Sequence, residues 1–290
     1  MQADFAKMLS ERPSLKELNL RFFRIMEQSL LATICSSTIE RMSLAIISDR
    51  GGMEEIANAI ENMPSLRKLQ IGFKHGGGGF AIKSVSLQEL YLLGVGRPTV
   101  NELACPSLRN LTIGFDDNDK FVVFRPSILR GCSQTLDSFT LRIGQFEHSA
   151  DWAAFLADKG EDFCQAIEQM PKLKNLHLTC LGILQPNSNH ETHVFELNLR
   201  SRYLQSINFR GSRRMIQIIE CRCPMLILIQ YDYYLHNGQM ETQGLLQLDL
   251  NDKDVRMIEE EGYADLRVGD RASYAYEVPD NCIVRFHRKK

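Results

Sequence analysis

Hydrophobic positions along the chain fall into one short figure, apolar-x-x-apolar-x-apolar, which recurs. It is plainest in two nearly identical stretches, PSLRKLQIGF at 64–73 and PSLRNLTIGF at 106–115, where Leu66, Leu69 and Ile71 match Leu108, Leu111 and Ile113. The figure returns at Leu15, Leu18, Leu20; Ile39, Met42, Leu44; and Leu87, Leu90, Leu92. Further copies stand at Leu136, Phe139, Leu141; Leu173, Leu176, Leu178; and Leu204, Ile207, Phe209, with two weaker ones at Leu226, Ile229, Tyr231 and Leu245, Leu248, Leu250. The ten copies are spaced from 19 to 37 residues apart, about 25 on average. The last two apolar positions of each copy lie two apart. They therefore share one face of a short strand, and the polar residues beside them take the other.

A second mark is phased with the first. Pro13, Pro64, Pro106, Pro171 and Pro224 each stand two residues before the first apolar position of their copy. Proline there ends a helix and draws its predecessor toward extended backbone. Those predecessors include Met63, Cys105, Met170 and Cys223, which predicts a buried joint. Ahead of two prolines the spacing changes to i, i+3, i+4, i+7, at Met53, Ile56, Ala57, Ile60 and at Phe163, Ala166, Ile167, Met170, which predicts helices. A full copy thus reads as helix, proline joint and strand, a unit that buries its apolar face only by stacking on its neighbours.

The pattern loosens in two places. EHSADWAAFLADKGEDFCQAIEQM fills the widest gap and predicts two helices, and the next gap holds the polar loop LQPNSNHET. After Leu250 the figure stops: DKDVRMIEEEGYADL predicts a short helix and SYAYEVPDNCIVRFH a strand or hairpin, a different terminal unit that would cap the stack. Residues 2–11 are expected to form the helix of an incomplete copy.

These phased leucines and prolines resemble the leucine-rich repeat family, in its divergent ribonuclease-inhibitor-like form, whose repeats run about 20–29 residues. The resemblance implies an α/β leucine-rich-repeat solenoid, with a curved parallel sheet inside and helices outside. It would span 1–250 in about ten irregular repeats, with an α+β cap over 251–290. It implies protein–protein interaction on the concave face. One departure is expected to disturb regular curvature: where the family sets an Asn or Cys after the strand, this chain has Phe23, Lys74, Val95, Asp116, Gly144 and Leu181. Such repeats often follow an F-box, which would make the chain the substrate-recognition part of a ubiquitin ligase and ligase components its partners. No F-box-like segment precedes the first repeat, so that role requires a separate N-terminal region.

Composition narrows the classes. Among 290 residues, 34 basic and 36 acidic side chains leave a net charge of −2, which argues against a general nucleic-acid or membrane-surface binder. No run of 18 apolar residues suggests a transmembrane helix, and the start has no signal-peptide core. Eight cysteines without a regular framework predict free, mostly buried thiols and an intracellular location, cytoplasmic or nuclear.

Motifs of chemistry are weak. GGGGFAIKS lacks the glycine a phosphate loop needs before Lys83 and reads as a flexible connection. His190 and His193 of HETH are three apart, not four, and CRCP lacks a second cysteine pair, so no metal site is expected. No nucleophile, base and acid share a local signature, so neither enzyme activity nor a cofactor is expected. The stretch RSRYLQSINFRGSRR is more suggestive. Arg200, Arg202, Arg210, Arg213 and Arg214 form a candidate site for an acidic protein or, as another class, a phosphorylated ligand or nucleic acid.

Strand phase also predicts which side chains face a partner. The central outward column runs Asn19, Ser43, Gln70, Tyr91, Thr112, Thr140, His177, Asn208, Gln230, Asp249. The column after it includes Gly114 and Thr179. Within the outward columns the candidate partner-binding residues are Arg21, Arg41, Lys68, Tyr91, Leu93, Arg142, His177, Asn208, Arg210 and Asp232, because aromatics and arginine dominate binding hot spots.

Overall fold

A computed structural model describes residues 7–8, 11–12, 14–23, 38–47, 53–75, 78–94, 98–115, 126–143, 160–180, 196–211, 218–234, 246–250, 256–260, 271–277 and 284–288. The protein is α/β, with mostly parallel sheet and few helices. It divides into two compact units, Met1–Leu136 and Asp137–Lys290. Among the described residues no helix is long and apolar enough to cross a membrane.

In the first unit the elements are β1 (Glu17–Phe23), β2 (Arg41–Ile47), helix α1 (Met53–Glu61), β3 (Lys68–His75), β4 (Gly78–Lys83), β5 (Glu89–Leu93), β6 (Pro98–Ala104), β7 (Asn110–Phe115) and a 3-10 turn, Pro126–Gly131. Strands β1, β2, β3, β5 and β7 lie side by side, all parallel. Their register aligns the repeated figure residue for residue: Leu18, Met42, Leu69, Leu90 and Leu111 form one row and Leu20, Leu44, Ile71, Leu92 and Ile113 the next. Both rows are buried, as are Ile39, Leu66, Leu87 and Leu108 in the joints ahead of the strands. Burying each such side chain stabilises the fold by roughly 1.5–3 kcal/mol.

The second unit holds β8 (Ser138–Ile143), a helix over 160–168, β9 (Asn175–Cys180), β10 (Glu196–Arg200), β11 (Ser206–Gly211), β12 (Ile218–Arg222), β13 (Leu228–Tyr234), β14 (Leu246–Leu250), β15 (Arg256–Glu260), β16 (Arg271–Glu277) and β17 (Val284–Arg288). Strands β8, β9, β11 and β13 are parallel neighbours with Phe139, Leu176, Ile207 and Ile229 in one row. Strand β16 pairs antiparallel with β13, and β15 with β16. Antiparallel strands thereby occupy the edge that β13 would otherwise leave open.

The two helices predicted from spacing, at Met53–Ile60 and Phe163–Met170, correspond to α1 and to 160–168, but the reading of a full copy as helix, joint and strand does not extend to the other copies. Among the described residues ahead of the main strands, α-helix is found at 7–8, within the helix expected over 2–11, in α1 and over 160–168. Ahead of β8 stands the 3-10 turn, and in other copies the second layer is strand: β4 pairs β6, and β10 pairs β12 in a sheet continued by β17 and β14. Length accounts for β4, β6 and β12, whereas β10 lies in a copy of 31 residues and is extended through its pairing with β12. Lys68, Glu89 and Asn110 are 21 residues apart at each step, and Ser206 and Leu228 are 22 apart. A strand advances about 3.3 Å per residue and a helix 1.5 Å, so a short copy returns across the sheet only when extended. GGGGFAIKS is accordingly no flexible connection: its described part is β4, with Phe80 and Ile82 buried.

Two C-terminal expectations also change. Residues Arg256–Glu260 are a strand where a helix was expected, because the segment pairs with β16. The tenth copy forms β14, which joins β17 instead of continuing the parallel run; SYAYEVPDNCIVRFH supplies strand as expected, in β16 and β17, which pair with different strands and not as a hairpin.

The joints explain the phased prolines. The N–H groups of Leu66, Leu108, Leu173 and Leu226 donate to the carbonyls of Met63, Cys105, Met170 and Cys223. Proline thus sits second in a four-residue turn, where its fixed φ is already correct. Met63, Cys105, Met170 and Cys223 are all buried as expected. One position further on, a single carbonyl accepts two N–H groups of the next copy: Glu40 from Arg67 and Lys68, Arg67 from Gln88 and Glu89, Lys174 from Gln205 and Ser206. Side chains satisfy other joint carbonyls: Ser86 Oγ donates to Leu66 O at 2.9 Å, Ser107 Oγ to Val85 O at 2.7 Å, and Cys105 Sγ to Ile82 O at 3.6 Å.

Burial pushes the thiols of Cys105 and Cys223 up to about 11 and that of Cys132 to about 12. All three are free. An unfolded thiol loses its proton near pH 9, so the folded thiols contribute stability that is present below that pH and lost as pH rises toward 11. The urea midpoint is expected to fall over this window. Cys105→Ser should flatten the fall by on the order of 2 kcal/mol, since Ser84 and Ser201 fill the same joint position in other copies and are buried there. An unchanged pH profile in the variant would contradict a buried, protonated Cys105.

Candidate binding surface

The side of the parallel strands opposite the leucine rows carries the candidate residues. In the first unit, register aligns Glu17, Arg41, Lys68, Glu89 and Asn110 in one outward row and Asn19, Ser43, Gln70, Tyr91 and Thr112 in the next. The charges of the first row are largely neutralised within it. Arg41 pairs with Glu17 at 3.0 Å, and Lys68 Nζ lies 2.8 Å from Glu89 Oε2. Tyr91 joins the second pair: its hydroxyl donates to Glu89 Oε2 at 3.3 Å, and Lys68 Nζ stands 5.0 Å from its ring centroid. The hydrogen bond to Glu89 raises the Lys68 ammonium above its ordinary pKa, so it stays charged and is no nucleophile. These exposed pairs contribute less than about 1 kcal/mol each. Their effect is to hold Tyr91 half-buried and oriented. Leu93 is also half-buried, two residues along β5.

In the second unit, Thr140, His177, Asn208 and Gln230 form one row and Arg142, Thr179, Arg210 and Asp232 another. Beside them Ser206 Oγ donates to Asn175 Oδ1 at 2.7 Å. Burial holds His177 below the usual imidazole pKa, which leaves a neutral ring able to donate and accept one hydrogen bond at neutral pH. Arg142 is exposed. Register sets Arg210 two strands from Arg142, about 10 Å away, with Thr179 between them and Asp232 on the far side. Thr179 and Gly114, expected in an outward column, are both buried, Thr179 at 8% exposure. That column is therefore less accessible than alternation alone implies.

Arg21 falls in the stretch of β1 where register shifts between Leu20 and Phe23, so it lacks the regular row position expected of it. Among the described residues the arginine stretch is divided between different elements. Arg200 ends β10 and Arg202 sits in the joint before β11, both exposed, whereas Arg210 lies near the opposite end of β11. Arg213 and Arg214 lie outside the described residues, as does HETH. Within CRCP, Cys221 belongs to β12 and Cys223 to a buried joint. Among the described residues no three His, Cys, Asp or Glu side chains are grouped to hold a metal ion.

Sequence reading missed the Lys68–Glu89–Tyr91 trio as a unit. Its signal was available: the three residues occupy adjacent strands at matched repeat positions. Comparison with protein-family models matches none, and comparison with curated proteins returns no match.

Proposed function

We propose that this chain is a divergent leucine-rich-repeat solenoid of the ribonuclease-inhibitor-like kind, and that it holds a partner protein against the outward rows of its parallel strands instead of catalysing a reaction. The observation that supports this most is the residue-for-residue register of the repeated figure, nine copies of which lie in two parallel runs, five in the first unit and four in the second. Parallel register turns each non-leucine position of the repeat into a row of side chains, and such a row is a binding surface that sequence can tune without disturbing the core. The rows here are mostly neutral and polar. Tyr91 and Leu93 supply apolar anchor area, and Arg142 supplies an exposed guanidinium.

The test is affinity capture with the wild type and with the triple variant Tyr91→Ala, Arg142→Ala, Arg210→Ala. A partner retained by the wild type, and weakened at least about tenfold in a variant with unchanged urea midpoint, supports the reading. Equal capture by both would remove the outward rows as the binding surface.

A further inference from the structure

Among the described residues, the most exposed large apolar side chains of the second unit lie off the outward rows, at the joint rim where chain passes from the second layer into the main strands. Tyr203, Met225 and Ile227 are 44%, 48% and 57% exposed. Single exposed hydrophobic residues are ordinary, but these three are neighbours by construction. Strands β10 and β12 and strands β11 and β13 share one offset of 22 residues, as in Arg200↔Arg222 and Ser206↔Leu228. The same offset sets Tyr203 beside Met225 and Gln205 beside Ile227, and Ile227 N–H donates to Gln205 O at 2.9 Å.

Other copies show what these positions require structurally. Where Tyr203 and Met225 stand, the first unit has Ser65, Ser86 and Ser107. Where Ile227 stands, it has Arg67, Gln88 and Arg109, and the second unit has Lys174 and Gln205. The turn is thus made with small or polar residues elsewhere, and the apolar trio is not needed to form it.

Exposed basic residues stand near the trio. Arg200 and Arg222 are side by side at the ends of β10 and β12, both exposed, and Arg202 adjoins Tyr203. Lys172 and Lys174, also exposed, precede β9 at the matching joint.

We propose that this rim is a second docking site, for an acidic amphipathic peptide segment of a partner protein. Two or three apolar side chains of the segment seat on Tyr203, Met225 and Ile227, while its Asp and Glu residues meet the arginines. Arginine forks engage carboxylates in bidentate fashion, which a peptide with fixed spacing exploits. An anionic membrane is the less suitable occupant because the chain as a whole carries a net charge of −2.

The experiment pans a random 12-residue peptide display library on the intact chain, with counter-selection on the variant Tyr203→Ser, Met225→Ser, Ile227→Gln. That variant writes into the rim the residues its own repeats use, and its urea midpoint should match the wild type. The expected result is clones with two or more apolar residues among Asp and Glu, bound at least about tenfold more weakly by the variant and by Arg202→Glu. Binding should persist in the Tyr91, Arg142, Arg210 variant, which separates this site from the outward rows. Enrichment of basic or uncharged clones, or no enrichment that depends on the rim, overturns the proposal. So does co-sedimentation with phosphatidylserine vesicles that is lost in the rim variant while no acidic clone is enriched.

Discussion

Phe139→Ala is expected to lower stability by about 3–5 kcal/mol, the largest effect of any single truncation considered for this chain. Phe139 is 0% exposed in β8, and register sets it beside Leu176 of β9. Its ring centroid lies 6.2 Å from that of Phe163 at an interplanar angle of 43°, so the helix over 160–168 is held to the sheet partly by a tilted aromatic pair. Truncation removes that pair and leaves a void between strand and helix, which neighbouring leucines in fixed rows cannot collapse to fill. Phe139→Leu should cost much less, because it keeps most of the volume. Arg142→Ala, exposed on the same strand, should stay within about 0.5 kcal/mol of the wild type. Urea unfolding followed by far-ultraviolet circular dichroism checks all three. A Phe139→Ala midpoint as high as that of Arg142→Ala would show that the strand and helix are not packed as described.

Gly131→Ala is expected to cost about 3 kcal/mol, near the top of the usual range for overpacking. A Cβ at Gly131 would collide with Leu103 O and lie 2.8 Å from Leu103 C. Both are backbone atoms of β6, so no side-chain rotation relieves the clash, and either the 3-10 turn or β6 must move. Gly72 is the control. Its added Cβ would meet only Leu44 O at 3.9 Å, ordinary contact, and alanine suits a strand interior better than glycine does. Gly72→Ala should therefore be neutral or slightly stabilising. If Gly131→Ala proves as mild as Gly72→Ala, the turn is not seated against β6. A third glycine is constrained by conformation: Gly94, at the end of β5, has φ of 71°, in the left-handed region that side chains with a Cβ rarely adopt.

The candidate surface was legible in sequence as far as it depends on strand phase. Lys68, Tyr91, His177 and Asn208 lie in outward rows because their repeat positions alternate with buried leucines. It was not legible where neighbours change the meaning of a residue. Arg41 and Lys68 are neutralised by Glu17 and Glu89, which are remote in sequence and adjacent only through parallel register. Thr179 has the right phase yet is buried. The arginines from 200 to 214 look continuous in sequence, but a joint and a strand separate Arg202 from Arg210.

Read alone, the sequence determined the main strands and their mutual register, since a figure with apolar residues two apart can bury them only on one face, and a one-residue slip would expose every leucine. It also determined the joints, because proline in a four-residue turn is a local conformational preference. The tertiary structure decided the second layer. Whether a segment such as GGFAIK becomes helix or strand depends on the residues available to recross the sheet and on a neighbouring copy able to pair with it. The fate of Arg256–Glu260 was likewise settled by a partner strand, β16, that no local pattern names. Local propensity is weak against a ladder of backbone hydrogen bonds with a distant segment, and it is through such ladders that the second layer and the C-terminal edge take their form.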